Sequence, residues 1–213
     1  MTSVSLTPEL LQRIMPHARA PWIAKYFPYL EQSMALYQID TVLRKSHFLA
    51  QVAHESGELR YTEELASGRQ YEGRKDLGNV QAGDGERFKG RGLLQLTGRA
   101  EYSAFSLACG TDLMTEDHPA LLATEPALAM ESAAWYWSVH RLNYFADVDE
   151  LLAITRCING GLNGLASREA YLARAKACLV PLEPLQIATL HGKADELFGQ
   201  IAFVEAGLEA FRL

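Results

Sequence analysis

Apolar residues recur at the three- and four-residue spacing of a helix along almost all of this 213-residue chain, and one segment breaks the pattern. Thr7-Pro8-Glu9 offers a capping hydroxyl, a proline suited to a first turn and an early acid, with Leu10, Leu11 and Ile14 behind it. Pro28 reads as the opening of a second helix, with Leu30, Met34 and Tyr37 on one side. Asp40 precedes a third, in which Phe48, Val52 and Glu55 share a stripe. Thr124-Glu125-Pro126 opens another that carries Leu128, Trp135, Val139 and Leu142, and Trp135 and Trp137 are read as packing residues. Val148, Leu151, Thr155 and Ile158 mark a helix that stops at Gly160-Gly161. Ser167 reads as the cap of the next, with Tyr171, Ala175, Cys178 and Leu179 inward and Pro181 as its stop. From Pro184 the tail places Leu197, Ile201, Val204, Leu208 and Phe211 on one helical face, which needs a surface to pack on. The pattern predicts a mostly α protein, and the length predicts one domain with at most a small appended lobe.

The break lies at residues 67–92, which hold Gly68, Gly73, Gly78, Gly83, Gly85, Gly90 and Gly92, seven of the sixteen glycines. A long glycine-rich connection inside a domain is either functional or disordered. Here Tyr71, Leu77, Phe88 and several arginines are interleaved, which predicts ordered structure lining a cleft.

Charge excludes some classes of function. Lys and Arg number 20 against 26 Asp and Glu, a formal net charge of −6. No Lys/Arg run offers a surface for phosphate neutralisation, so no nucleic-acid partner is expected, and anionic lipid is disfavoured for the same reason. No stretch approaches the roughly 18 apolar residues of a membrane span, so no stable membrane insertion is expected. Cys109, Cys157 and Cys178 form an odd set without C-x-x-C spacing, which indicates neither a disulfide framework nor a covalent dimer; a monomer is expected. The first residues lack the basic start and apolar run of a signal peptide, so synthesis in the cytoplasm without a leader is expected.

His54-Glu55 invites a zinc-protease reading, but Glu58 stands where H-E-x-x-H requires its second histidine. The other histidines lack metal-ligand spacing, so neither a metal nor another cofactor is expected. Gly90-Arg91-Gly92 has Gln95 where a dinucleotide fingerprint needs its third glycine, and Ser56-Gly57 is not a nucleophile elbow. Paired carboxylates remain. Glu55 shares a stripe with apolar residues, and burial would raise its pKa as a general acid requires. Glu64 lies nine residues on, about half a turn away on a continuous helix, so a break near Gly57 is needed for the two to face each other. Two carboxyls about 6.5–9.5 Å apart, with room for a water, suit inverting glycoside hydrolysis. The alternative is that Glu55 is a structural acid paired with Arg60 or Arg91, with Glu63 and Glu64 on a solvated face.

Four ordered segments carry a resemblance: His54-Glu55-Ser56-Gly57, the run from Phe88 through Gly90-Arg91-Gly92 to Gln95-Leu96-Thr97, the stretch from Pro119 to Trp137, and Ile158-Asn159-Gly160-Gly161. Over residues 40–180 they resemble the family 19 glycoside hydrolases, which include chitinases and phage or prophage endolysins. Through Tyr71-Glu72-Gly73-Arg74-Lys75-Asp76-Leu77-Gly78-Asn79 the chain is most similar to the endolysin-type members. The resemblance implies a lysozyme-like, bilobal helical domain with a substrate groove in residues 1–180, and a C-terminal helical extension packed on it in 181–213. It implies Glu55 as general acid, Glu64 as second acid (with Glu63 or Glu72 as substitutes) and Thr97 as the hydroxyl holding the attacking water. Gln95 and Asn159 match polar groove residues, and Arg91 and Arg168 a charge network around the acids. Independently of the resemblance, Tyr61, Tyr71, Phe88 and Tyr102 offer flat apolar surfaces for sugar faces, with core packing as the alternative for each. Glu101 departs from the asparagine of many relatives, and an ionised Glu can only accept hydrogen bonds.

Two substrates share the implied β-1,4 N-acetylglucosamine chemistry, and peptidoglycan glycan strands are expected ahead of chitin oligomers. The missing leader and missing disulfide pairs fit an enzyme released to the wall through a holin-like pore during lysis. A wall-binding module without turnover is the alternative of a different class.

Overall fold

Thr7 accepts a hydrogen bond from the Leu10 amide at 3.2 Å and so caps α1 (Pro8–Ile14), the opening that its sequence predicts. The structure is a computed structural model and describes residues 5–180. The expected extension over 181–213 lies outside the described residues.

Pro28 does not open a helix; it sits inside α2 (Ala20–Leu36). Burial of Ile23, Tyr26, Leu30 and Met34 carries the helix through, because the interrupted turn, Ala24 to Pro28, has both ends exposed and its free carbonyl can meet water. Thr41 caps α3 (Val42–Glu55), whose residues 46–53 are all buried. A helix enclosed on every side is the spine of the first core, where Phe48 meets Trp137 edge-on with ring centroids 5.5 Å apart.

The glycine-rich break is ordered into two single 3₁₀ turns (Arg69–Tyr71 and Lys75–Leu77) and the one-turn α4 (Asp84–Arg87). Isolated antiparallel bridges then join Glu63 to Arg91 and Arg91 to Leu96. After them come α5 (Arg99–Cys109), a 3₁₀ turn at His118–Ala120, α6 (Leu121–Thr124), α7 (Pro126–Val139), α8 (Leu142–Asp147), α9 (Leu151–Asn159) and α10 (Leu165–Leu179). The described residues are thus mostly helical. Gly160, left-handed at φ 71°, ends α9 as the sequence predicts. Ser167, expected as a cap, lies inside α10 and turns its hydroxyl toward His54.

A second core gathers Phe88, Leu96, Tyr102, Phe105, Leu113, Leu122 and Trp135. Two elements serve both cores: α7 gives Trp137 to the first and Trp135 to the second, and the turn over 91–96 gives Leu93 and Leu94 to the first and Leu96 to the second. Both tryptophans are buried packing residues. The seam between the cores therefore runs through the polar residues that follow Gly90.

Candidate active site

Glu55 is the last residue of α3, and the chain reverses immediately after it. Gly57, Glu58 and Leu59 are consecutively left-handed at φ 56°, 60° and 68°. The Ser56 hydroxyl donates to the Val52 carbonyl at 2.6 Å and accepts from the Leu59 amide at 2.8 Å, which fixes the turn. This is the break needed to turn Glu64 away from the α3 axis. Glu58 is not solvated: it is buried and accepts from the His17 amide and, at 2.7 Å, from the Tyr171 hydroxyl.

The surroundings of Glu55 are more polar than its apolar stripe implies. Its side chain is 19% exposed and receives Nη2 of Arg168, a fully buried guanidinium whose Nη1 donates to Gln51 one turn earlier on α3. Arg168 is thus the partner of Glu55, in place of Arg60 or Arg91. Arg60 instead lies over the Tyr61 ring at 4.7 Å. His54 contacts Ser167 Oγ through Nδ1 at 3.1 Å, and burial, then Arg168, holds its imidazole below the ordinary range against the opposing charge of Glu55.

Glu64 is held by the glycine-rich segment. Its amide donates to the Gly90 carbonyl at 3.0 Å. Its carboxylate accepts from the Gly90 amide (3.1 Å) and the Tyr71 hydroxyl (3.0 Å) on Oε2, and from Gln70 Nε2 (3.0 Å) on Oε1. Gly90 is the hub: a Cβ there would lie 2.8 Å from Glu64 Oε2, 2.9 Å from Gln95 Oε1 and 3.3 Å from Thr97 Oγ1. Three residues that the sequence spaces apart therefore converge on one glycine. Gln95 takes a left-handed backbone (φ 53°), its Nε2 donates to the Gly92 carbonyl at 3.0 Å, and its buried Oε1 has no protein donor. Thr97 Oγ1 donates to the Gln95 carbonyl at 2.8 Å and sits 3.3 Å from a Cβ placed on Gly90.

The other carboxylates proposed as substitutes are committed elsewhere. Glu63 lies 2.9 Å from Arg91 and 3.2 Å from Lys89; burial works to raise its carboxyl, but these two cations together hold it below the ordinary value. Glu72 accepts the amides of Gly83 and Gly85 at 2.9 and 2.8 Å. Glu101 faces His140 at 3.6 Å, and burial pushes its carboxyl up while His140 opposes. Tyr136, whose hydroxyl donates to the Cys157 carbonyl at 3.3 Å, is pushed up by burial and by the charges of Glu101, Cys157 and Glu55, so Glu101 and Glu55 act on one phenol.

Burial returns Tyr102 and Phe88 to the core. Tyr102 is fully buried, donates to the Lys89 carbonyl at 2.7 Å and accepts from Arg91 at 3.2 Å, so it cannot face a sugar. Arg91 and Arg168 are likewise buried and act through the carboxylates they hold. Phe88 belongs to the core with Tyr102, whereas Tyr61 is exposed and Asn159 lies exposed at the end of α9. Sequence reasoning missed Gln51 and Gln70. Gln51 was detectable as the residue four before Glu55, on the same helical face. Nothing local marks Gln70 as a donor to Glu64.

Residues 45–149 match the family 19 glycoside hydrolase (chitinase class I) family model. A family 19 domain-containing protein of Haemophilus influenzae is 39% identical over 105 residues, 49% of each chain. An Arabidopsis thaliana endochitinase is 30% identical over 164 residues, 73% of this chain and 56% of its own. The chain spans about half the length of these curated relatives. Chitinase C from Streptomyces griseus shares the fold with a TM-score of 0.66 at 23% identity, covering 81% of this chain and 91% of that one. A bacterial family 19 chitinase gives 0.62 at 23% identity, covering 84% and 96%.

Proposed function

We propose that this family 19 domain is a glycoside hydrolase that cleaves β-1,4 bonds in N-acetylglucosamine-containing strands by an inverting, two-carboxylate mechanism. Glu55 protonates the glycosidic oxygen as the bond from C1 breaks. Glu64 takes a proton from the water that attacks C1 on the opposite face, with Thr97 orienting that water. Arg168 fixes the Glu55 carboxyl, and Gln95 packs its buried Oε1 beside Glu64 and Thr97 at Gly90. The observation that carries the reading is the convergence of Glu64, Gln95 and Thr97 on Gly90, at the seam of the two cores. A carboxylate and a hydroxyl directed at one small volume can hold a water between them.

Peptidoglycan is the proposed substrate, supported by the similarity of Tyr71–Asn79 to endolysin-type members. On this reading the enzyme is bacteriolytic and acts on the wall after release through a holin-like pore. Chitin is the second reading, favoured by the endochitinases among the relatives. Mass spectrometry of fragments released from purified sacculi, run beside soluble chitin oligosaccharides, separates the two. Muropeptides released by wild type but not by Glu55→Gln support the endolysin. Cleavage of chitin oligosaccharides alone supports the chitinase, and binding without release by either variant leaves a wall-binding module. Proton NMR of the first product tests the stereochemistry: an α anomer is expected, and an initial β anomer refutes attack by a single water.

A further inference from the structure

We propose that Tyr71 is a positioning residue for Glu64, an assignment that rests on Glu64 acting as the base. Of roughly four lone-pair sites on a carboxylate, three are taken here, two of them on Oε2 by Tyr71 and Gly90. The Gly90 amide is fixed by the backbone, and its single bond would leave the carboxylate free to pivot about Oε2. The Tyr71 hydroxyl, arriving at 3.0 Å on the same oxygen, removes that pivot and holds the carboxylate beside Gly90, while Oε1, with one bond from Gln70, keeps the remaining acceptor site.

Tyr71 is itself held on both sides. Its carbonyl accepts from Asn79 Nδ2 at 2.9 Å, and Asn79, fully buried, accepts through Oδ1 from the Arg99 amide at 2.8 Å. The next residue, Glu72, clamps the amides of Gly83 and Gly85 with its two oxygens. Gly85 approaches so closely that a Cβ on it would lie 2.6 Å from the Glu72 nitrogen and 2.8 Å from the Gly68 oxygen. The glycine-rich segment is thus a fixed mount for one phenol. Burial, with the charge of Glu64, pushes that phenol up, so it stays a donor at neutral pH. Gln70 is exposed, and water can replace its bond.

Tyr71→Phe keeps the ring and removes the donor, so the test is steady-state kinetics of the full chain on whichever glycan wild type cleaves. Loss of one hydrogen bond to a charged group that aims the base predicts a kcat lower by about tenfold with KM unchanged, while Gln70→Ala changes kcat by less than about threefold. A kcat for Tyr71→Phe within about twofold of wild type overturns the assignment, as does a rise in KM that accounts for the loss. Glu64→Gln is run in parallel. Full activity in that variant defeats the base reading itself, whereas an inactive Glu64→Gln beside an unimpaired Tyr71→Phe defeats only the positioning role.

Discussion

Adding one methyl group at Gly90 probes the proposed catalytic centre without touching any of its functional groups. Gly90 is not left-handed, so alanine fits its backbone, and the restricted unfolded chain contributes about 0.4–1 kcal/mol of stability. The cost falls on the side-chain ends. Ordinary contact begins at 3.4 Å, so Glu64 Oε2 must withdraw by about 0.6 Å and Gln95 Oε1 by about 0.5 Å, with Thr97 Oγ1 nearly unmoved. Both displaced atoms end flexible side chains, but Glu64 strains its bonds from Tyr71 and the Gly90 amide as it retreats, which predicts an unfolding free energy lower by about 1–2 kcal/mol. Catalysis is less tolerant. Misplacement of about 1 Å costs on the order of 10²-fold, so a shift of about half that in the base lowers kcat by about tenfold, or ~1.4 kcal/mol of barrier. Turnover of glycan fragments and urea denaturation, measured on the same preparation, check both halves. Gly73→Ala is the control: nothing lies within 4 Å of its added Cβ, but φ is +69°, so it loses about 1 kcal/mol of stability and keeps its activity. A Gly90→Ala enzyme within twofold of wild type, or one that unfolds while its remaining folded fraction turns over normally, refutes the placement of Glu64 and Gln95 at the chemistry.

Arg168 and His47 test the supports around that centre. Arg168→Met strips Glu55 and Gln51 of a fully buried partner and is expected to cost about 3 kcal/mol in denaturant unfolding. Arg168→Lys should remain at least tenfold down in kcat, because a point charge cannot bridge two acceptors as the guanidinium fork does; wild-type turnover in that variant would contradict the bridging role. Burial holds the imidazole of His47 below its ordinary value of 6.5, against the pull of Asp149. The unfolded chain therefore takes up a proton that the folded one refuses, so this part of the stability is complete above pH 6.5 and declines as the pH falls below it. The urea midpoint should drop between pH 7.5 and 5.5 in wild type and drop less in His47→Gln, and equal drops would count against this. Asp84, Asp147 and Glu63, all held below ordinary carboxylate values by their cations, contribute their losses at lower pH, and His54, lowered in the same direction as His47, contributes equally to both proteins, so the difference between them isolates His47.

α1 and the end of α9 were legible because they carry their own punctuation: Thr7 before Pro8, and Gly160 after Asn159. Pro28 was misjudged because a proline is a local signal, while the burial of Ile23, Tyr26, Leu30 and Met34 that carries α2 through it is a tertiary one. Tyr102 failed as a sugar contact for the same reason. Its flat ring suits either a sugar or a core, and only Phe88 against it, at 5.2 Å between centroids, decides for the core.

The second acid shows where sequence reasoning stops. Glu63, Glu64 and Glu72 are the same side chain within ten positions, and no periodicity ranks them. What distinguishes them is the donor each meets. Two cations neutralise Glu63, and two backbone amides of one loop consume both oxygens of Glu72. Glu64 alone of the three receives a hydroxyl, an exposed amide and one backbone N–H, a set that holds the carboxylate in place without a cationic partner. Those donors come from residues 70, 71 and 90, and the last reaches Glu64 only because the 90–92 segment lies antiparallel to 62–64. The glycines that made residues 67–92 look like a gap in the helical pattern are what allow this: a Cβ at Gly90 or Gly85 would intrude where the carboxylate or its mount must sit. The segment with the least secondary structure therefore does the most to choose the base.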